Sequence, residues 1–195
     1  GLPYLLHAAS GRGGVAIHAA LGADVPLKDV LERLFSAPYF PVGADLLMRD
    51  VTFHAHAVGA SFQAGAVAVR TGALDHPGGC AAFRLDHAGR GLLYATDLES
   101  RSEAGDALVA LAQGADLVIH DTMFTPEEAE AHRGWGHSTA ESALALIREG
   151  GVPRLVGFHH NPRHDDATLS AREAQLAALH PGFSYAREGE RITLA

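Results

Sequence analysis

The stretch Gly91-Leu92-Leu93-Tyr94-Ala95-Thr96-Asp97 decides the reading of this chain. Its first five residues are apolar enough for a buried strand, and the strand ends on a carboxylate. Two other segments repeat the pattern. Leu74-Asp75-His76-Pro77-Gly78-Gly79 and Leu155-Val156-Gly157-Phe158-His159-His160-Asn161-Pro162 each close a hydrophobic run with an imidazole. Imidazole and carboxylate are the ligands that Zn²⁺ and similar ions accept besides thiolate. Set where strands give way to loops, such residues converge at one sheet edge although they are distant in sequence. A lone histidine is more often a structural residue; three such segments together favour a metal-dependent hydrolase.

Composition narrows the field. Hydrophobic residues make up 47% of the 195 positions, ordinary for a globular protein. The apolar runs are too short to span a bilayer, and no basic-then-apolar signal segment opens the chain. One cysteine, Cys80, against thirteen histidines excludes an internal disulfide framework and a thiolate cluster. It fits a reducing, cytoplasmic compartment. Fifteen basic against twenty-three acidic residues give a net charge of −8, with no Lys/Arg cluster. Proteins that grip long nucleic acids usually carry a basic face, so a large RNA or DNA partner is disfavoured. A small anionic substrate is not.

No repeat, low-complexity tract or linker divides the sequence, which reads as a single unit over 1–195. Strands are expected at 15–19, 50–58, 65–70, 81–86 and 92–95, the last four forming a largely antiparallel region. Helices are expected at 27–35, 102–112, 139–149 and 167–179, with short strands at 116–119 and 154–158 and a terminal hairpin over 183–194. Thr125-Pro126-Glu127-Glu128 is a capping box opening a further helix that Gly134 closes, and Ser138 is read as the cap of the next. Strands first, then alternating helices and strands, predict an α/β sandwich with helices outside the sheets.

His137, beside a helix start, is a candidate general acid. Asp121, in Ile119-His120-Asp121-Thr122-Met123, is its candidate partner. His54 and His56 form a tempting His-x-His, but Val51, Phe53, Ala55 and Ala57 share the opposite strand face, so a polar outer face is the better account. Of the adjacent His159 and His160, only one should point into a common site.

In this order the segments resemble the metallo-β-lactamase superfamily, closest to its phosphodiesterase branch of tRNase Z and PhnP-like enzymes. The resemblance implies the family's αββα sandwich, with His76 as the third zinc histidine, Asp97 as the bridging aspartate and His159 as the final ligand. His120-Asp121-Thr122-Met123 is similar to the family's His-Glu-Ala-Thr segment. Gly136-His137-Ser138-Thr139 is similar to the segment whose histidine protonates the leaving group. The signature His-x-His-x-Asp-His is absent. It normally precedes a segment like Gly1–Leu6, and the chain opens without methionine, so an N-terminally truncated domain is expected. With three ligands for two divalent ions, Zn²⁺ or Mn²⁺, the isolated chain should bind metal weakly and be inactive, activity belonging to the intact parent. A truncated edge also exposes unpaired strands that favour association into a homo-oligomer. The short connection from His76 to Asp97 leaves no room for a tRNA-gripping arm, favouring a small phosphodiester. Other branches cleave lactones, esters or thioesters, and a non-catalytic, metal-poor module is the remaining alternative.

Overall fold

The computed structural model describes residues 14–21, 26–41, 43–100 and 105–194, and they fall into two units, divided between Ala60 and Ser61. The first three residues of the helix expected over 102–112 lie outside the described residues.

The smaller unit is built on strands β1 (Val15–Ala20) and β2 (Val51–His56), paired in parallel with His18 opposite His54. Alternation sends Val15, Ile17, Val51 and Phe53 to one face. There they meet helix α1 (Leu27–Leu34), whose Leu27 and Leu31 are buried, and the short helix α2 (Ala44–Leu47). Helix α2 carries too few residues to leave a periodic signal, and the sequence reading missed it. The other face bears the histidines, as alternation predicts. The His18 ring stacks on His54 at 4.4 Å and lies near the plane of His56, with His18 Nδ1 3.0 Å from His56 Nε2. Burial, and then the neighbouring His54 and His56, hold the His18 imidazole below its ordinary value.

The larger unit is a seven-stranded sheet in the order β3 (Ser61–Ala64), β4 (Val67–Leu74), β5 (Cys80–His87), β6 (Arg90–Ala95), β7 (Leu117–Asp121), β8 (Leu155–Phe158), β9 (Phe183–Tyr185). From β3 to β6 each pair is antiparallel, as expected for 65–70, 81–86 and 92–95, and from β6 to β9 each is parallel; the strand expected at 50–58 does not join this region, because β2 pairs in parallel with β1. Two antiparallel steps bring β4 back into line with β6. Strands β4, β6, β7 and β8 therefore all run the same way, and their C-terminal ends meet one edge. The expected terminal hairpin is absent. Only Phe183–Tyr185 forms a strand, and it joins β8 in parallel, because Leu155 and Gly157 offer it free ladder positions.

Helices α3 (Gly105–Ala112), α4 (Pro126–Ala131), α5 (Ala140–Gly150) and α6 (Asp166–Leu179) supply the connections between parallel strands that such pairing requires. Leu93, Val118 and Leu155 from the sheet pack with Ile147 and Leu144 of α5 and Leu176 of α6 in one buried cluster. Each fully buried aliphatic side chain is worth about 1.5–3 kcal/mol. Helix α4 opens on the capping box at Thr125 and Glu128. The cap of α5 is Thr139 rather than Ser138, since Thr139 adopts the extended backbone and accepts from Ser142 N. Ser138 is turned inward.

Arg84 is the buried polar anchor of this unit, only 3% exposed. Its guanidinium donates to the carbonyls of Leu111, Ala112, Gln113 and Gly114, where α3 ends, and to the Asp86 carboxylate at 2.7 Å. A cation suits a helix C-terminus, where carbonyls lack partners. Arg84→Met keeps the stem and removes the fork; we expect it to lower unfolding free energy by about 2–4 kcal/mol, read from denaturant midpoints.

Candidate metal and acid–base centre

Ala95, His120 and Gly157 stand in one row across β6, β7 and β8. The chain leaves that row through Asp97, Asp121 and His159. Asp97 and His159 both adopt left-handed backbone, φ 60° each. That conformation is unusual for residues with a Cβ and turns each side chain away from the direction its strand would give it. His159 Nε2 lies 3.6 Å from Asp97 Oδ1, and both side chains are 38% exposed. His160 goes elsewhere, with Nε2 3.3 Å from the Ala186 carbonyl and its ring edge-on to Tyr185.

Asp121 is fully buried and saturated. Its Oδ1 accepts from Met123 N at 3.0 Å and Ser138 N at 3.1 Å. Its Oδ2 accepts from Asp97 N at 3.2 Å and from His137 Nδ1 at 2.7 Å. A carboxylate has about four lone-pair sites, and all four are taken. With Nδ1–H donating to Asp121, the Nε2 of His137 is the nitrogen left to act. The His137 ring stacks on His159 at 4.7 Å and meets the edge of His76 at 5.5 Å.

Asp97, Asp121, His137 and His159 each bring a donor atom to within 4.8 Å of the others. Nitrogen and oxygen donors of this kind suit a divalent transition ion. Because the Asp121 oxygens are occupied by N–H donors, the donors open to a metal in this group are Asp97, His137 and His159. His76 stands outside the group and beside it, against His137. Buried His120 takes no part: its Nδ1 donates to the Asp121 carbonyl at 2.6 Å, and burial keeps the imidazole below its ordinary value.

Several supporting contacts carried no sequence signal. Ser138 donates to the Leu98 carbonyl at 2.6 Å and touches Ser100 Oγ, joining the segments after Asp97 and His137. Glu99 N donates to the Asp75 carbonyl at 2.8 Å, and one Glu99 oxygen accepts from Gly134 N and Gly136 N at 2.7 and 3.3 Å. Glu128 of the capping box also pairs with His164 Nε2 at 2.9 Å, tying α4 to the loop after His159. Burial raises the Glu128 carboxyl, but the Thr125 N–H and then the His164 contact outweigh it and hold it below its ordinary value.

His76, Asp97, Asp121 and His159 thus gather at the ends of β4, β6, β7 and β8, with donor atoms of the kind a divalent ion accepts. The chain belongs to the metallo-β-lactamase superfamily: the family model described as beta-lactamase superfamily domain matches residues 1–160. Ribonuclease Z of Gemmatimonas aurantiaca is 38% identical over 90 residues, 46% of this chain and 28% of that protein. Ribonuclease Z of Salinibacter ruber is 38% identical over 101 residues, 52% of this chain and 30% of that protein. These matches thus span less than a third of either relative. The crystal structure of human tRNase Z, short form, has the same fold, with a TM-score of 0.70 at 19% identity over all of this chain and 74% of that one. No helix among the described residues is long and apolar enough to cross a membrane.

Gly136, with φ 84°, permits the approach of His76. A Cβ there would lie 2.5 Å from His76 Cδ2 and 2.6 Å from Pro77 Cδ. Gly134 has φ 83° and open space around the same atom. Gly136→Ala should therefore cost about 2–4 kcal/mol of stability and Gly134→Ala only about 1 kcal/mol, compared by denaturant unfolding.

Proposed function

We propose that the protein is a metal-dependent hydrolase that cleaves a small phosphodiester, with Asp97, His76 and His159 as donors to two divalent ions, Zn²⁺ or Mn²⁺. The reading rests on one observation: the His137–Asp121 pair, 2.7 Å long, lies against the Asp97–His159 pair in a single cluster. The family match running over 1–160 supports a single catalytic domain that includes both units.

Bound divalent ions supply Lewis acidity and lower the pKa of water to about 7. The chain's own residues do the rest. Asp121 holds Nδ1 of His137, which fixes the tautomer and orients Nε2 as the proton donor to the departing alkoxide. The Asp121 carboxylate also supports the imidazolium before that proton leaves. Asp97, at the end of β6, contributes a carboxylate with two oxygens, suited to two cations at once.

The name ribonuclease Z carried by the two relatives supports a phosphodiester bond as the target. The chain itself limits the size of the substrate. Residues 77–96 are taken up by the turn after His76 and the β5–β6 hairpin, so no arm extends there to grip a folded RNA. The net charge of −8 points the same way.

In the full-length protein, Asp97→Ala should lower bound metal and reduce turnover of bis-p-nitrophenyl phosphate at least about 100-fold. His137→Ala should keep the metal and slow an alkyl diester more than the nitrophenyl diester, whose leaving group needs no proton. Equal slowing of both diesters removes the acid role. Hydrolysis of a lactone panel but no diester removes the phosphodiesterase reading.

A further inference from the structure

Trp135 is the only tryptophan in the sequence, and its side chain is among the more exposed large apolar ones, at 60%. A single exposed aromatic ring is ordinary. This one is held in place. It sits between Gly134 and Gly136, whose N–H groups both donate to the same Glu99 oxygen, and its own N donates to the His132 carbonyl at 3.1 Å. The ring meets the edge of His132 at 4.7 Å and 84°. His132 is itself fixed, with Nδ1 donating to the Glu128 carbonyl at 2.7 Å and its face stacked on buried Phe124 at 4.8 Å. Phe124 in turn meets His137 at 5.9 Å. The indole is thus braced from beneath by a chain of rings that ends at the proposed acid. Its Cα lies at most about 7 Å from that of His137, two residues on.

A rigid, amphipathic ring loses little entropy on contact, and it accepts the face of any nucleobase. We infer that Trp135 is a stacking platform for the base of a nucleoside phosphodiester whose phosphorus is attacked at the His137 centre. This inference rests on the phosphodiesterase reading and narrows it: the substrate carries a nucleobase one sugar away from the scissile bond. Trp135 is a specificity residue, outside the bond-breaking steps.

The test compares a nucleoside 2′,3′-cyclic phosphate with base-free methyl ribofuranoside 2,3-cyclic phosphate, using the full-length, metal-loaded protein. Trp135→Ala should lower kcat/KM for the nucleotide roughly ten-fold, through KM, the order expected on losing one base–aromatic stack. Turnover of the base-free diester should be unchanged, and Trp135→Phe should retain most of the preference. Equal loss on both substrates, no loss on either, or a changed sedimentation coefficient with an unchanged ratio overturns the platform. If the wild-type protein hydrolyses neither diester, the phosphodiesterase reading fails by itself. Emission from Trp135, the sole tryptophan, then decides the platform: saturable quenching by a nucleoside monophosphate that ribose 5-phosphate does not produce supports it, and equal or absent quenching by the two overturns it.

Discussion

The carboxylate of Asp121 is the interaction on which the centre depends. It is buried at the end of β7 and accepts from three backbone N–H groups and one imidazole. A buried charge is tolerated only when hydrogen bonds replace the water it has lost. Here the replacements come from the segments after β6 and β7 and from the loop before α5. The same carboxylate therefore sets the backbone at Asp97, the exit of its own strand and the tautomer of His137. Removing it would leave an imidazole unoriented and three donors without partners, so its structural and chemical duties cannot be separated by deletion.

Around that group the site is assembled by direction. Strands β4, β6, β7 and β8 point one way, and their ends gather residues up to 83 positions apart, from His76 to His159. The supporting contacts run between these ends rather than along them. Glu99 links the segment before His76 to the glycines around Trp135, Ser138 links Leu98 to the start of α5, and the Glu128–His164 pair links α4 to the loop after His159. Each loop is held by its neighbours, and the sheet edge acts as one frame.

Much of this was legible in the residues. Apolar runs ending on His or Asp marked β4, β6 and β8, the alternation in β2 put His54 and His56 opposite Val51 and Phe53, and Thr125-Pro126-Glu127-Glu128 announced α4. The failures have physical causes. Thr139 rather than Ser138 caps α5 because Ser138 is drawn inward by Asp121 and Leu98, partners 17 and 40 residues away. The residues after Tyr185 form no hairpin because β9 pairs with β8, a choice made by the sheet and not by local pattern. Strand β3, at four residues, is specified by its pairing with β4. Glu99 left no mark at all, since a carboxylate that binds backbone N–H groups has no preferred spacing to them.

The left-handed backbone at Asp97 and His159 divides two demands that most positions satisfy together. Glycine would relieve the conformational strain at either place, and at neither could it reach toward a cation. On the proposed reading, a search for thermal robustness alone would drift toward glycine at these two positions and give up both metal donors for a sturdier backbone.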